Sequence, residues 1–240
     1  MLEKEIVFVY ICRNGENEEL RYSLRSVQTF YPNSTVWVVG GKPDWYVGNF
    51  IPIKQVADAF QNVKNSLIAI MDNPNIPDEI VIMNDDFFFV RYVPNIKAYS
   101  SGTLYNKIVF NKSNGVNSPY IKRLNHLLRH CKKYRDVPLD FETHAPMLIS
   151  KSKLSIIAKE NVMWRSNYGN RFLSEDQIEV IDDVKVYSDP KYGFKSYEYL
   201  SFKYPFFSTQ DSSFEMAYDR MLKNMFCIPS RYELKVFSSS

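Results

Sequence analysis

The chain has 240 residues, 30 Lys plus Arg against 27 Asp plus Glu for a formal net charge of +3, and 45% apolar residues, with 17 Tyr and 17 Phe. Those totals exclude a disordered or fibrous chain and fit a single domain with one sizeable core and many stacking surfaces. Cys12, Cys131 and Cys227 are widely spaced and form no CxxC pair. They exclude a disulfide scaffold or zinc ribbon and point to a reducing, cytoplasmic setting. No apolar run reaches the about 20 residues that cross a bilayer, and MLEKEIVFVYICRN reads as a first strand and not as a signal peptide.

Ile6–Cys12 is that strand, ending at the turn Arg13-Asn14-Gly15. Asn17–Phe30 reads as a helix with Leu20, Leu24 and Val27 on one face, ended by Pro32. Val36–Val39 is a second strand before the turn Gly40-Gly41-Lys42-Pro43, and the order indicates a parallel βαβ unit. Ile51–Ile53 is a short third strand, and Asp58–Met71 has helical spacing. The central strand follows: Glu79–Pro94 opens with the apolar run Ile80-Val81-Ile82-Met83 and ends in Asn84-Asp85-Asp86 ahead of three phenylalanines. A strand covered on both faces delivers its last residues to the sheet edge where α/β folds bind ligands. Two aspartates beside apolar bulk there call for a cation, a divalent ion being the economical one, unless they merely face water or cap a helix.

From Phe87 to Arg135 there is no Asp or Glu, against ten Lys or Arg. Within it, Ser100–Pro119 reads as a long mobile loop with a hairpin around Ile108–Phe110. Tyr120–Arg135 reads as a helix with an apolar face of Ile121, Leu124, Leu128 and Cys131 and a cationic stripe of Lys122, His126, Arg129 and Lys133. That stripe is either a footprint for a polyanion or a solvated face. Beyond Glu142-Thr143-His144-Ala145-Pro146-Met147 lies a short helix from Lys151 to Lys159. The segment Met163–Phe172 concentrates Trp164, Arg165, Asn167 and Tyr168 in loop-like surroundings suited to a polar ligand. Val184–Tyr187 reads as a strand, Asp189–Ser201 as a Tyr- and Lys-rich insertion, and Asp211-Ser212-Ser213 as the N-cap of a last helix, Ser213–Met225. Ser238–Ser240 reads as a frayed end.

Several segments carry a resemblance: Glu19–Val27 (ELRYSLRSV), Val36–Val39 with Pro43-Asp44-Trp45, and Asn84–Phe88 (NDDFF). They resemble blocks of Stealth-type sugar-phosphate transferases. Adding Glu142–Met147, Asn167–Asn170, Ser208–Phe214 and Pro229–Glu233, almost the whole chain resembles small phage-encoded glycosyltransferase-like proteins. The resemblance implies a single GT-A-like domain over 1–240, Rossmann-type, with a mixed, mostly parallel sheet flanked by helices. Residues 1–95 would form a nucleotide-sugar-binding half and 96–237 an acceptor-side half. It also implies a nucleotide-sugar donor, a UDP-hexose being expected, and a divalent cation, Mn²⁺ or Mg²⁺. Asn84-Asp85-Asp86 would stand at the family's DxD motif, with Asn84 departing from it. Asp86 would hold the metal and Asp85 would orient sugar hydroxyls, with His144 either a further metal ligand or a buried hydrogen-bonding residue.

On this reading, donor binding falls to Arg13 and Asn14 at the end of the first strand, to Arg165 and Asn167, and to Lys42 unless it is a solvated turn lysine. The candidate general bases for an inverting reaction are Glu142 and Asp211, the latter unless it only caps a helix. The acid-free cationic region, with Lys122, Arg129 and Lys133, favours double-stranded DNA carrying a 5-hydroxymethylpyrimidine as acceptor, in the host cytoplasm if the protein is phage-encoded. Two alternatives remain: Stealth-like transfer of a sugar phosphate to a surface polysaccharide, and a non-catalytic DNA-binding module on a degenerate core.

Overall fold

In the computed structural model, which describes residues 5–116, 118–187 and 201–234, a five-stranded sheet has the order β3-β2-β1-β4-β7. Its strands are β1 (Val7–Cys12), β2 (Thr35–Gly40), β3 (Asn49–Pro52), β4 (Glu79–Asn84) and β7 (Met147–Ser150). All pair in parallel except β7, which runs antiparallel to β4. This is the mixed, mostly parallel α/β architecture that the alternation of strand and helix predicts.

The sheet is covered on both faces, so its strands are continuously apolar. Phe8 and Tyr10 of β1, with Val81 and Met83 of β4, bury one face; Val9, Ile80 and Ile82 bury the other. Helix α1 (Glu18–Phe30) lies over the first face. Its N-cap is Asn17, whose Oδ1 accepts from the Leu20 N–H at 2.9 Å, and Leu20, Leu24 and Val27 are fully buried at helical spacing. Each such side chain contributes about 1.5–3 kcal/mol by leaving water. Helices α2 (Ala59–Asp72), α5 (Lys151–Ile157) and α6 (Trp164–Phe172) bury residues of the second face.

Two small sheets extend the core. Strand β5 (Phe87–Phe89) pairs antiparallel with β9 (Phe206–Ser208), and β6 (Ala98–Ser100) pairs in parallel with β8 (Ile178–Val180). The three phenylalanines of β5 are fully buried under α1, whose Ser23 hydroxyl donates to the Phe87 carbonyl while Ser26 Oγ accepts from the Phe89 N–H at 3.1 Å.

Three sequence expectations are corrected here. Ser100–Pro119 is no mobile loop with a hairpin, because Leu104–Ser113 forms helix α3, capped by Thr103 and buried through Leu104, Ile108 and Asn111. Packing of Leu104 and Ile108, one helical turn apart, against Leu124, Leu127 and Cys131 of α4 (Ser118–Cys131) outweighs the turn-forming Ser, Gly and Asn nearby. Met163–Phe172 is likewise helical, and its polar residues Arg165–Asn170 are buried instead of lining a loop. The cap of the last helix, α7 (Asp211–Ala217), is Gln210, and Asp211 is its first residue. This helix continues through a π-turn, Tyr218–Leu222, into Lys223–Met225. Val184–Tyr187 lies beside β9 through a bridge at Lys185; the insertion Asp189–Ser201, apart from Ser201, and the end at 238–240 lie outside the described residues.

Candidate active site

Strands β1 and β4 are neighbours, with Ile11 opposite Asn84, so Arg13 and Asn84-Asp85-Asp86 emerge together at one edge of the sheet. They open onto a cavity of about 410 Å³ whose wall also carries Glu19, Glu142, His144, Arg165, Lys185, Thr209 and Asp211.

Each residue of the Asn-Asp-Asp motif has its own partner. Asn84 Oδ1 accepts from Arg165 Nη2 at 3.2 Å, and Arg165 Nη1 donates to the Ala145 carbonyl at 3.0 Å. That guanidinium also lies 4.9 Å from the Trp164 ring, and burial lowers its pKa to about 10. A neutral acceptor at position 84 therefore holds a cation in place. Asp85 Oδ2 accepts from Asn17 Nδ2 at 2.6 Å, so one amide caps α1 with its oxygen and holds the aspartate with its nitrogen. Burial, and then the charge of Asp86, push Asp85 up to about 6. Asp86 Oδ2 takes Lys185 Nζ at 3.0 Å, while Asp86 Oδ1 is buried and has no partner.

The remaining wall is equally charged. Glu19, in the first turn of α1, accepts from Thr209 Oγ1 at 2.8 Å, and burial raises it to about 7. Arg13 pairs with Asp211 at 2.9 Å; its hydrogen bond lowers the pKa of that carboxyl. Glu142 Oε1 accepts from Ser166 Oγ at 3.1 Å and the Ser166 N–H at 3.2 Å, while burial and the charge of Asp140 raise its pKa. His144 has φ +52, the single positive φ at a non-glycine among the described residues, and burial followed by the Lys185 charge lowers it to about 4. It is thus neutral at pH 7, in a strained conformation of the kind that concentrates at functional sites.

Of the residues singled out from the sequence, Arg13, Asp85, Asp86, Glu142, His144, Arg165 and Asp211 are brought to this cavity. Asn167 is not, because it is fully buried with Nδ2 donating to Glu160 at 2.6 Å. Lys42 is also apart, donating to the Tyr46 carbonyl at 3.1 Å, and exposed Asn14 has its N–H on Gln55 Oε1. Lys122 and Arg129 lie on the exposed face of α4, and Lys133 is exposed in the turn that follows it, all outside the cavity. Their neighbour Arg123 reaches over the ring of Phe60, which lines the cavity, at 5.2 Å. Glu19, Lys185 and Thr209 were not foreseen. An acid in a first helical turn reads as a dipole partner, and nothing local marks Lys185.

The donor set also bears on a divalent ion. A carboxylate oxygen without a partner invites one, but Asp86 Oδ1 is closed off from solvent and the other oxygen carries an ammonium. Among the described residues no three His, Cys, Asp or Glu side chains converge on a metal position. At Asp86 itself, the side chains present leave neither carboxylate oxygen open to an ion.

No protein-family model and no curated protein matches the chain. Among solved structures it is similar to the galactosyltransferase LgtC in complex with donor and acceptor sugar analogues, at 12% identity over 78% of this chain and 81% of that one, with a TM-score of 0.44. It is similar also to 4-diphosphocytidyl-2C-methyl-D-erythritol synthase from Anaerococcus prevotii, at 11% identity, 82% and 94% coverage and a TM-score of 0.40. The glycosyltransferase GlyE of Streptococcus pneumoniae matches at 10% identity and a TM-score of 0.37, over 92% of this chain and 53% of its own length. No helix among the described residues is long and apolar enough to cross a membrane.

Proposed function

We propose that the chain is a glycosyltransferase that moves a sugar from a nucleotide sugar, a UDP-hexose, to a hydroxyl acceptor. The observation that carries this reading is the Asp85-Asp86 pair at the carboxyl end of β4, facing a cavity walled by Arg13, Arg165 and Lys185. Carboxylates at such an edge orient sugar and ribose hydroxyls, and cations beside them stabilise the charge that collects on a departing diphosphate. Arg165 is rigidly held for that purpose by Asn84 and the Ala145 carbonyl. For an inverting reaction Glu142 is the better base of the two candidates, because its pKa is raised while that of Asp211 is lowered by Arg13. Neutral His144 supplies a hydrogen-bonding group and no charge.

The acceptor we favour is a 5-hydroxymethylpyrimidine in double-stranded DNA. Its support is the exposed cationic face of α4, joined to the cavity rim through Arg123 and Phe60, with Trp164 as a second ring on the wall. A second reading, transfer of a sugar phosphate, is favoured by the placement of the Stealth-like segments. Glu19, Asn84–Asp86, His144, Thr209 and Asp211 come from segments far apart in sequence and share one cavity.

One experiment separates these readings. The protein is incubated with a panel of nucleotide sugars and duplex DNA containing 5-hydroxymethylcytosine or 5-hydroxymethyluracil, with and without Mn²⁺, and the DNA is digested to nucleosides for mass measurement. A hexose-sized gain on one base establishes donor and acceptor together, and release of nucleoside monophosphate from the donor with no gain on DNA supports the second reading, whose acceptor is a surface polysaccharide. Donor hydrolysis without any gain moves the acceptor to a glycan. Binding of DNA with neither gain nor hydrolysis leaves a non-catalytic module.

A further inference from the structure

We infer that Lys185 meets the donor's diphosphate in the place where a divalent ion would otherwise serve, so that nucleoside diphosphates bind this chain without a divalent ion. The inference rests on the nucleotide-sugar reading above and goes beyond it in naming how the anion is held.

The position of Lys185 is set by backbone on both sides of its ion pair. Asp86 immediately precedes β5, β5 pairs with β9, and the segment containing Lys185 lies along the other edge of β9. The Val186 N–H donates to the Ser208 carbonyl at 2.8 Å and the Ser208 N–H to the Val184 carbonyl at 3.0 Å. The Thr209 N–H reaches the Asp86 carbonyl at 3.3 Å. Both side chains of the pair are largely buried, at 14% and 10% exposure. A cation entering from the cavity would have to evict this ammonium from Asp86 or open the enclosed Oδ1, and would then face the displaced ammonium as a like charge at close range.

Arg13 and Arg165 line the same cavity with partners of their own, Asp211 for the first and Asn84 with the Ala145 carbonyl for the second. Lys185 Nζ makes one hydrogen bond, to Asp86, which leaves two of its three donors for phosphate oxygens. In the transfer, the bond between the anomeric carbon and the diphosphate oxygen breaks with its electron pair going to the nucleoside diphosphate. The acceptor oxygen bonds to that carbon and yields its proton to a carboxylate. The Lys185 ammonium meets the charge that accumulates on the leaving phosphate.

The test is calorimetric titration of UDP into the full-length protein in EDTA and again in Mn²⁺, with Lys185→Ala and Lys185→Arg alongside. In the wild type the two dissociation constants should agree within about threefold, and Lys185→Ala should weaken binding in EDTA by about tenfold or more. Lys185→Arg should retain most of the affinity, and Lys185→Ala, with Asp86 freed, should become responsive to Mn²⁺. Wild-type binding that requires Mn²⁺ overturns the inference and leaves the glycosyltransferase reading standing. So does metal-free binding that Lys185→Ala leaves unchanged. Failure of UDP and other nucleoside diphosphates to bind under either condition overturns both. Should Lys185→Ala not fold, the wild-type comparison in EDTA and Mn²⁺ decides by itself.

Discussion

Lys185 Nζ lies 3.0 Å from Asp86 Oδ2 although 99 residues separate them in the chain, and the pair sits in the wall of the cavity. Removing one partner leaves the other as an uncompensated buried charge. Asp86→Ala is therefore expected to lower stability by about 3–5 kcal/mol, whereas Asp86→Leu with Lys185→Met should lose less than the sum of the single changes. Urea unfolding of Asp86→Ala, of the single variants Asp86→Leu and Lys185→Met and of their combination measures this, and strict additivity would show that the pair is not coupled.

Asp86→Asn keeps the shape of the side chain and removes its charge. Turnover of the nucleotide sugar should fall by about 100-fold or more, the scale for losing one preorganised electrostatic group. Steady-state kinetics with the donor identified by mass measurement reads the loss; a drop of less than a few fold would take Asp86 out of the reaction.

The pKa of Glu19 is raised by burial to about 7 from an ordinary 4.5. Between those values the folded state holds a proton that the unfolded state has released, so this group's contribution is fully present below pH 4.5 and is lost as pH rises through 7. Glu19→Gln should flatten the decline of Tm across that window. Thermal melts of both proteins from pH 5 to 8 supply the comparison, and parallel curves would refute the assignment.

Arg25 of α1 donates to both carboxylate oxygens of Glu233, at 2.9 and 2.7 Å, and Arg21 adds a bond at 3.0 Å. Burial raises the Glu233 pKa, but the Arg25 hydrogen bonds and the Ser230 N–H more than offset that and hold it at about 2. Its contribution is present above pH 4.5 and is lost as pH falls through 2. Glu233→Gln at pH 7 should lower Tm by about 10 °C, from a loss of about 3 kcal/mol or more in a chain of this size. Calorimetry at pH 7 and at pH 2.5 should show the gap narrowing at the lower pH.

If the exposed face of α4 and the turn after it meet DNA phosphates, replacing Lys122, Arg129 and Lys133 by alanine should weaken duplex binding uniformly across sequences. The slope of log K against log salt should become shallower by about three. Fluorescence anisotropy over a salt series reads it, and an unchanged slope would assign the stripe to solvent.

Much of the fold is legible in the sequence because it is written in local periodicity. Ile80–Met83 is apolar at every position because both faces of β4 are covered, and Leu20, Leu24 and Val27 recur at helical spacing because one face of α1 is buried. The aspartates at 85 and 86 could be placed at the sheet edge, where the cavity opens, because a strand of known direction precedes them. Local composition misled at α3 and α6, where tertiary burial of Ile108 and Tyr168 overrides weak propensities. It also could not tell Asn167, buried against Glu160, from Arg165 two residues earlier, which faces the cavity. The partner of Asp86 was out of reach entirely. A sequence records that an acid needs a cation nearby, but which cation answers depends on the pairing of β5 with β9 and on the strand-like segment beside it. That contact is long-range, so only the tertiary structure could place a lysine where an ion was expected.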